Sequence, residues 1–132
     1  MKTILIIEDD AFLRDLISKK LSSAGFTASE ATDGEAGLKK AKEEKPSLIL
    51  LDLLLPVPDG FEILSRLKQD PETSSIPVVI LSNLGQKEDV DKGLGLGAND
   101  YLIKAQFTPD EIIAKVKETL GKTGNPAPQK PQ

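Results

Sequence analysis

A chain of 132 residues, 39% of them hydrophobic, with a net charge of −4, has room for one domain and enough apolar material to fold without staples. It has no cysteine and no histidine, which excludes disulfides, Cys or His metal sites, thiol catalysis, His-dependent triads and a phosphohistidine formed by the chain itself. The acidic balance speaks against direct contact with nucleic acid or an anionic membrane, and no apolar run approaches the roughly 20 residues of a membrane span, so a cytoplasmic location is the expectation.

Short apolar runs alternate with amphipathic stretches. Thr3 to Ile7 predicts a buried strand, and Leu13, Leu16, Ile17 and Leu21 give Ala11 to Ala24 helical spacing. Phe26 to Ala31 predicts a second strand. Thr32 and Glu35 have capping-box spacing for a helix running to Glu44, before Pro46 breaks the chain. Ser47 to Leu51 is a continuous apolar run ending in Asp52, the pattern of a parallel strand covered on both faces. Asp59 predicts the cap of a helix whose apolar face is Phe61, Leu64 and Leu67. Pro77 to Leu81 reads as a fourth strand with its proline at the tolerated first position.

Gln86 to Gly97 is weakly helical. Val90, Leu94 and Leu96 could face a core, but Gly93, Gly95 and Gly97 each cost about 1 kcal/mol inside a helix. Asp100 to Lys104 predicts the fifth strand. Thr108-Pro109-Asp110-Glu111 opens the last helix with a cap, a proline at the first position and an acid at the third, and Ile112, Ile113, Val116 and Leu120 form its buried stripe. From Gly121 onward no periodic apolar residues remain. The domain is therefore placed at 1–121, and 122–132 is expected to be a disordered tail or linker remnant.

Strict alternation predicts a doubly wound α/β fold, a five-stranded parallel sheet with five helices on its two faces. Ligands of such sheets bind beyond the carboxyl ends of the strands. Those ends carry Glu8, Asp9 and Asp10, then Asp52, then Ser82 and Asn83, then Lys104. Two carboxylates about 4 Å apart repel by roughly 4 kcal/mol at an effective dielectric of 20, so this rim needs a cation or extra protons. With no His or Cys, an all-oxygen donor set suits a hard ion such as Mg²⁺. A lone aspartate beside such an ion suggests phosphoryl transfer, with Asp52 as nucleophile and with Lys104 and Ser82 contacting phosphate oxygens. Singly, each residue has a plainer explanation: first-turn acids favoured by the helix dipole, a structural hydroxyl, a solvated lysine, a half-buried Tyr101. Together, in this order on one rim, they form a specific set.

The stretches Ile4 to Asp10, Leu51 to Pro56 with Asp59-Gly60, Val79 to Ser82 and Gly97 to Lys104 resemble, in register, the response-regulator receiver family of two-component signalling over residues 3–120. The resemblance implies a flavodoxin-like strand order 2-1-3-4-5. It implies Asp52 as phosphoacceptor, and a Mg²⁺ bound by Asp9 and Asp52, by Glu8 through water and by the backbone carbonyl of Leu54. Ser82 would be the switch hydroxyl, Tyr101 the switch aromatic and Lys104 the phosphate-binding lysine. The phosphoryl donor would be a sensor histidine kinase, a phosphotransfer protein or a small phosphodonor, and the target a downstream effector protein or a missing effector domain. Such a domain catalyses only its own phosphorylation and dephosphorylation and is not otherwise an enzyme. The added phosphate, about −1.5 to −2 charges, would draw Ser82 and Lys104 inward, let Tyr101 follow, and repack the face made by the fourth helix, fifth strand and fifth helix.

Three departures from the family pattern stand out. Ala105 replaces a proline usually preceded by a cis bond, which relieves the Lys104–Ala105 bond of any preference for cis. Pro58 replaces a common methionine and stiffens the loop after Asp52. Leu54 and Leu84 occupy the two positions that tune phosphoryl lifetime in the family, and their apolar side chains imply slow dephosphorylation. Two other readings fit parts of the pattern. An Asp-nucleophile Mg²⁺-dependent phosphatase would want a second acid where Leu54 stands, and a degenerate, phosphate-independent receiver would have no need of the acids, Ser82 and Lys104 together.

Overall fold

The computed structural model describes residues 2–56 and 58–123. Strands β1 (Thr3–Ile7), β2 (Thr27–Ala31), β3 (Leu48–Leu51), β4 (Val78–Ser82) and β5 (Asp100–Ile103) alternate with helices α1 (Ala11–Ser23), α2 (Gly34–Glu44), α3 (Gly60–Gln69), α4 (Lys87–Gly95) and α5 (Pro109–Thr123). The strands pair in parallel in the order β2-β1-β3-β4-β5, as expected. A short 3₁₀ turn, Lys104–Gln106, follows β5 where the family pattern would place proline.

Because strand side chains alternate, the apolar runs serve two cores at once. Leu5, Ile7, Ile49, Leu51, Val78 and Ile80 face one side and pack with Ala41 of α2 and Ile63, Leu64 and Leu67 of α3. Ile4, Ile6, Leu48, Leu50, Val79 and Leu81 face the other and pack with Ile17 and Leu21 of α1 and Ile112, Ile113, Val116 and Leu120 of α5. This double coverage is why β1, β3 and β4 read as unbroken hydrophobic runs.

The helix starts follow the sequence with one shift. Asp59 accepts from the Glu62 amide at 3.0 Å. At α5 the box closes in both directions, with the Glu111 amide donating to Thr108 Oγ1 at 3.1 Å and the Thr108 amide to Glu111 Oε1 at 2.8 Å. At α2, however, the cap is Asp33 and not Thr32: its Oδ1 accepts from the Ala36 amide at 2.8 Å. Aspartate caps at least as well as threonine. The shift also brings Gly34 into the first turn against α3, where a Cβ would lie 2.6 Å from the Ile63 side chain.

Two apolar faces differ from expectation. In α3 the sheet-facing set is Ile63, Leu64 and Leu67, while Phe61 sits at the margin with the Lys92 ammonium 4.3 Å from its ring centroid. In α4 none of Val90, Leu94 and Leu96 is fully buried; only Gly93 is, seated on Ile80 and the Tyr101 ring. Helix α5 runs through Gly121 and Lys122 to Thr123. The rest of the expected tail, 124–132, lies outside the described residues.

Candidate functional site

β3 and β4 are apolar until the chain reaches the rim, and β1 is apolar from Ile4, so their next polar side chains are delivered where the sheet ends. Glu8 extends the ladder past β1, its amide donating to Ala31 O at 3.1 Å, and the Asp52 amide donates to Ile7 O at 3.0 Å. Both acids are therefore held by strand hydrogen bonds and are 2% and 3% exposed. Ser82 closes β4 and is fully buried, and Lys104 follows β5 directly.

Lys104 reaches back across the rim. Its Nζ lies 2.8 Å from Glu8 Oε1 and 3.1 Å from Asp52 Oδ2. The remaining oxygens are also engaged: Glu8 Oε2 accepts from the Asp10 amide and Asp52 Oδ1 from the Leu54 amide, each at 3.1 Å. Two buried carboxylates thus share one ammonium. Burial, the largest effect, pushes the Glu8 carboxyl up to about 7, while its hydrogen bond to Lys104 pulls the other way. For Lys104, burial disfavours the ammonium, but the hydrogen bond to Glu8 and the charge of Asp52 outweigh it and hold its pKa above the ordinary lysine value.

Asp9 is exposed beside this pair, and one carboxylate oxygen each from Glu8, Asp9 and Asp52 lie within 4.8 Å of one another. Three hard oxygen donors with a single lysine between them leave a negative excess, and the donor set fits Mg²⁺ or a similar divalent ion. Asp10 plays another part: its Oδ1 accepts from the Phe12 and Leu13 amides and caps α1.

The sequence model of the response regulator receiver domain matches residues 4–117. The chain belongs to the response regulator receiver family. It is 44% identical over 123 residues to the DNA-binding dual master transcriptional regulator RpaA of Synechocystis, covering 93% of this chain and 51% of that protein. It is 40% identical over 123 residues to the phosphate regulon transcriptional regulatory protein PhoB of Pseudomonas aeruginosa, covering 93% and 53%. The receiver thus spans about half the length of the curated relatives it matches. Among solved structures, the receiver domain of the Francisella response regulator 1452 is similar with a TM-score of 0.85 at 30% identity, over 93% of this chain and 99% of that one. The Mn²⁺-bound form of response regulator Rcp1 is similar with a TM-score of 0.76 at 30% identity over 100% of both chains.

In this receiver Glu8, Asp9, Asp52 and Lys104 meet on one rim. The side chains of Ser82 and Tyr101 meet at Leu84 instead: Ser82 Oγ accepts from the Leu84 amide at 3.3 Å, and the Tyr101 hydroxyl donates to the Leu84 carbonyl. Leu54 turns its side chain outward, 51% exposed, and its amide toward Asp52. Sequence reasoning gave no role to two residues that hold this site. Gly60 donates its amide to Leu53 O at 3.0 Å, and a Cβ there would lie 2.4 Å from both Asp52 O and Leu53 Cα. Arg14 donates from Nη1 to Glu8 O at 2.8 Å. A usable signal existed for the second: the chain has two arginines among 17 basic residues, and one stands one helical turn beyond the acidic run Glu8 to Asp10, where a forked donor matters. Among the described residues, no helix is long and apolar enough to cross a membrane.

Proposed function

We propose that this receiver is a phosphoacceptor switch in which Asp52 takes a phosphoryl group from the phosphohistidine of a sensor kinase or phosphotransfer protein, or from a small phosphodonor, in a Mg²⁺-dependent reaction. The observation that supports it most is a buried Asp52 within 3.1 Å of the Lys104 ammonium, at the edge of a three-carboxylate cluster. An Asp52 oxygen attacks phosphorus, the bond from phosphorus to the departing imidazole nitrogen breaks, and the phosphoryl group ends as an acyl phosphate on Asp52. Lys104 neutralises one oxygen of the incoming group and the Ser82 hydroxyl donates to another. Asp9 and Asp52 would hold Mg²⁺ directly, with the Leu54 carbonyl, and Glu8 through water. When bound, the ion supplies the positive charge that lets a dianion approach an acid-lined rim.

The two contacts on Leu84 give the signal a route. A Ser82 hydroxyl turned to phosphate releases the Leu84 amide, and the Tyr101 hydroxyl holds the carbonyl of the same residue. The loop after β4, Tyr101 and α4 must then repack together. A swing from 1:99 to 99:1 needs about 5.5 kcal/mol of bias from the new contacts. We place the downstream partner, an effector protein or an effector domain beyond this chain, on the α4–β5–α5 face. We place the protein in the cytoplasm, with no direct contact of this domain to nucleic acid or membrane.

Incubation with acetyl phosphate, with and without Mg²⁺, followed by intact mass should show one added phosphoryl group, absent from Asp52→Ala and absent without the metal. Incorporation in the Asp52→Ala protein would remove the basis of the reading. Neither Leu54 nor Leu84 offers a polar group to orient an attacking water, so the phosphoryl group should be long-lived. Leu54→Asn and Leu84→Glu should each shorten its lifetime, followed as decay of the phosphorylated mass. An unchanged decay would count against that role. The same lack of a second acid speaks against a phosphatase with rapid turnover.

A further inference from the structure

The Arg14 guanidinium, in the first turn of α1, joins two strands at the rim. Nη1 donates to the Glu8 carbonyl oxygen at 2.8 Å, and Nε donates to Glu30 Oε1 in β2 at 3.3 Å. Glu30 is itself anchored: its other carboxylate oxygen accepts from the Ser18 hydroxyl, and its carbonyl accepts from Lys40. The Arg14 side chain is only 15% exposed. The oxygen it grips belongs to the peptide that joins Glu8 to Asp9. The plane of that peptide sets the direction in which both side chains leave the backbone, with Glu8 inward on Lys104 and Asp9 outward to solvent.

We propose that Arg14 is a positioning residue for the divalent-cation site: by holding the Glu8–Asp9 peptide against the Glu30 anchor, it keeps the two acids aimed at one point. This rests on the Mg²⁺ reading above. The fork is required, because two acceptors on different strands must be met at once from one planar group. The charge alone acts in the opposite sense. A guanidinium 2.8 Å from the carbonyl oxygen that joins two of the three acids repels an incoming cation, so deleting it should tighten Mg²⁺ binding if Coulomb attraction is all that changes. Positioning and charge therefore predict opposite signs.

The test is Mg²⁺ titration by calorimetry on the whole chain, as wild type, Arg14→Met, Arg14→Lys and Glu30→Gln, together with the Mg²⁺ dependence of phosphorylation by acetyl phosphate. Arg14→Met and Arg14→Lys should each bind Mg²⁺ about tenfold more weakly, as loss of an outer-shell partner typically does. Glu30→Gln should fall between them and wild type. The loss should show in the Mg²⁺ concentration giving half-maximal phosphorylation more than in the rate at saturating Mg²⁺. If Arg14→Met does not fold, Arg14→Lys, which keeps the cation and loses the fork, decides the matter, since removing the Glu30 charge weakens cation binding on either account. Unchanged or tighter binding in the variants, or full rescue by lysine, would overturn the inference while leaving the metal site standing. A wild-type protein without Mg²⁺ affinity would overturn both.

Discussion

Lys104→Met is expected to destabilise the Mg²⁺-free protein by about 3–5 kcal/mol above neutral pH, the usual cost of stranding buried charge by deleting its partner. Glu8 and Asp52 have side chains 3% exposed and depend on this one ammonium. The loss should depend on pH in a definite sense. Burial already raises the Glu8 carboxyl from 4.5 to about 7 despite the pull of Lys104, and without that pull it rises further. A carboxyl with a raised folded-state pKa favours the folded chain while protonated and loses that contribution as pH climbs through the raised value. The gap between variant and wild type should therefore widen from about pH 6 to about pH 8 in EDTA, read from urea unfolding. Added Mg²⁺ should recover more stability in the variant than in wild type, because the ion takes over the neutralising task of the lysine. Phosphorylation at saturating Mg²⁺ should fall about 10²–10³-fold, as for loss of one donor to a developing oxyanion. Equal stability of the two proteins in EDTA at the higher pH would show that Lys104 is not what makes this rim tolerable.

Gly60→Ala should be the most damaging of the glycine substitutions near the site. The residue is not in a left-handed conformation, so the constraint is space and not backbone shape. A methyl group would lie 2.4 Å from Asp52 O and from Leu53 Cα, backbone atoms that no rotamer change can move aside. The start of α3 would have to lift from the strand-end loop, breaking the bond from the Gly60 amide to Leu53 O and turning the Asp52 peptide with it. Overpacking of this kind costs about 1–3 kcal/mol and at times more. Here it should also slow phosphorylation, because Asp52 is the residue displaced. The control is Gly95→Ala at the end of α4, where nothing lies within 4 Å of an added Cβ. That change should be neutral or stabilising by up to about 1 kcal/mol, through helix propensity and a less flexible unfolded chain. Similar unfolding midpoints for the two variants would mean that the loop after Asp52 accommodates a side chain and that the contact is not structural.

The fold was legible because this chain states its periodicity plainly. Val78 to Leu81 and Leu48 to Leu51 are apolar at every position, which only a sheet covered on both faces explains, and the acid, hydroxyl and lysine follow at the strand ends. The strand order was less a matter of residues than of the resemblance they carried. What stayed hidden was of two kinds. The choice between Thr32 and Asp33 as cap turned on Gly34 nestling against Ile63, a contact 29 residues away along the chain (63 minus 34) that no local pattern contains. The second kind is main-chain chemistry. Arg14 and Gly60 act on peptide groups of Glu8, Asp52 and Leu53, and a sequence shows side chains, not the direction of its carbonyls. The α4 apolar positions failed for a related reason: Val90 and Leu94 have helical spacing, but the close approach of Gly93 to the sheet turns that stripe aside.

That seating of α4 has a mechanical consequence. Helix α3 is keyed to the sheet by Ile63, Leu64 and Leu67, and any slip would pull three side chains from filled sockets and open holes behind them, at several kcal/mol. Helix α4 touches down on bare backbone at Gly93, with the Ile80 tip and the Tyr101 ring as the bearing surface beneath it. Displacing it empties no large apolar socket, so the resistance to sliding lies in this one close contact, where a Cβ would come within 2.6 Å of Ile80 Cδ1. On the switch proposed above, a displacement starting at the end of β4 would therefore be taken up by α4 sooner than by the keyed α3.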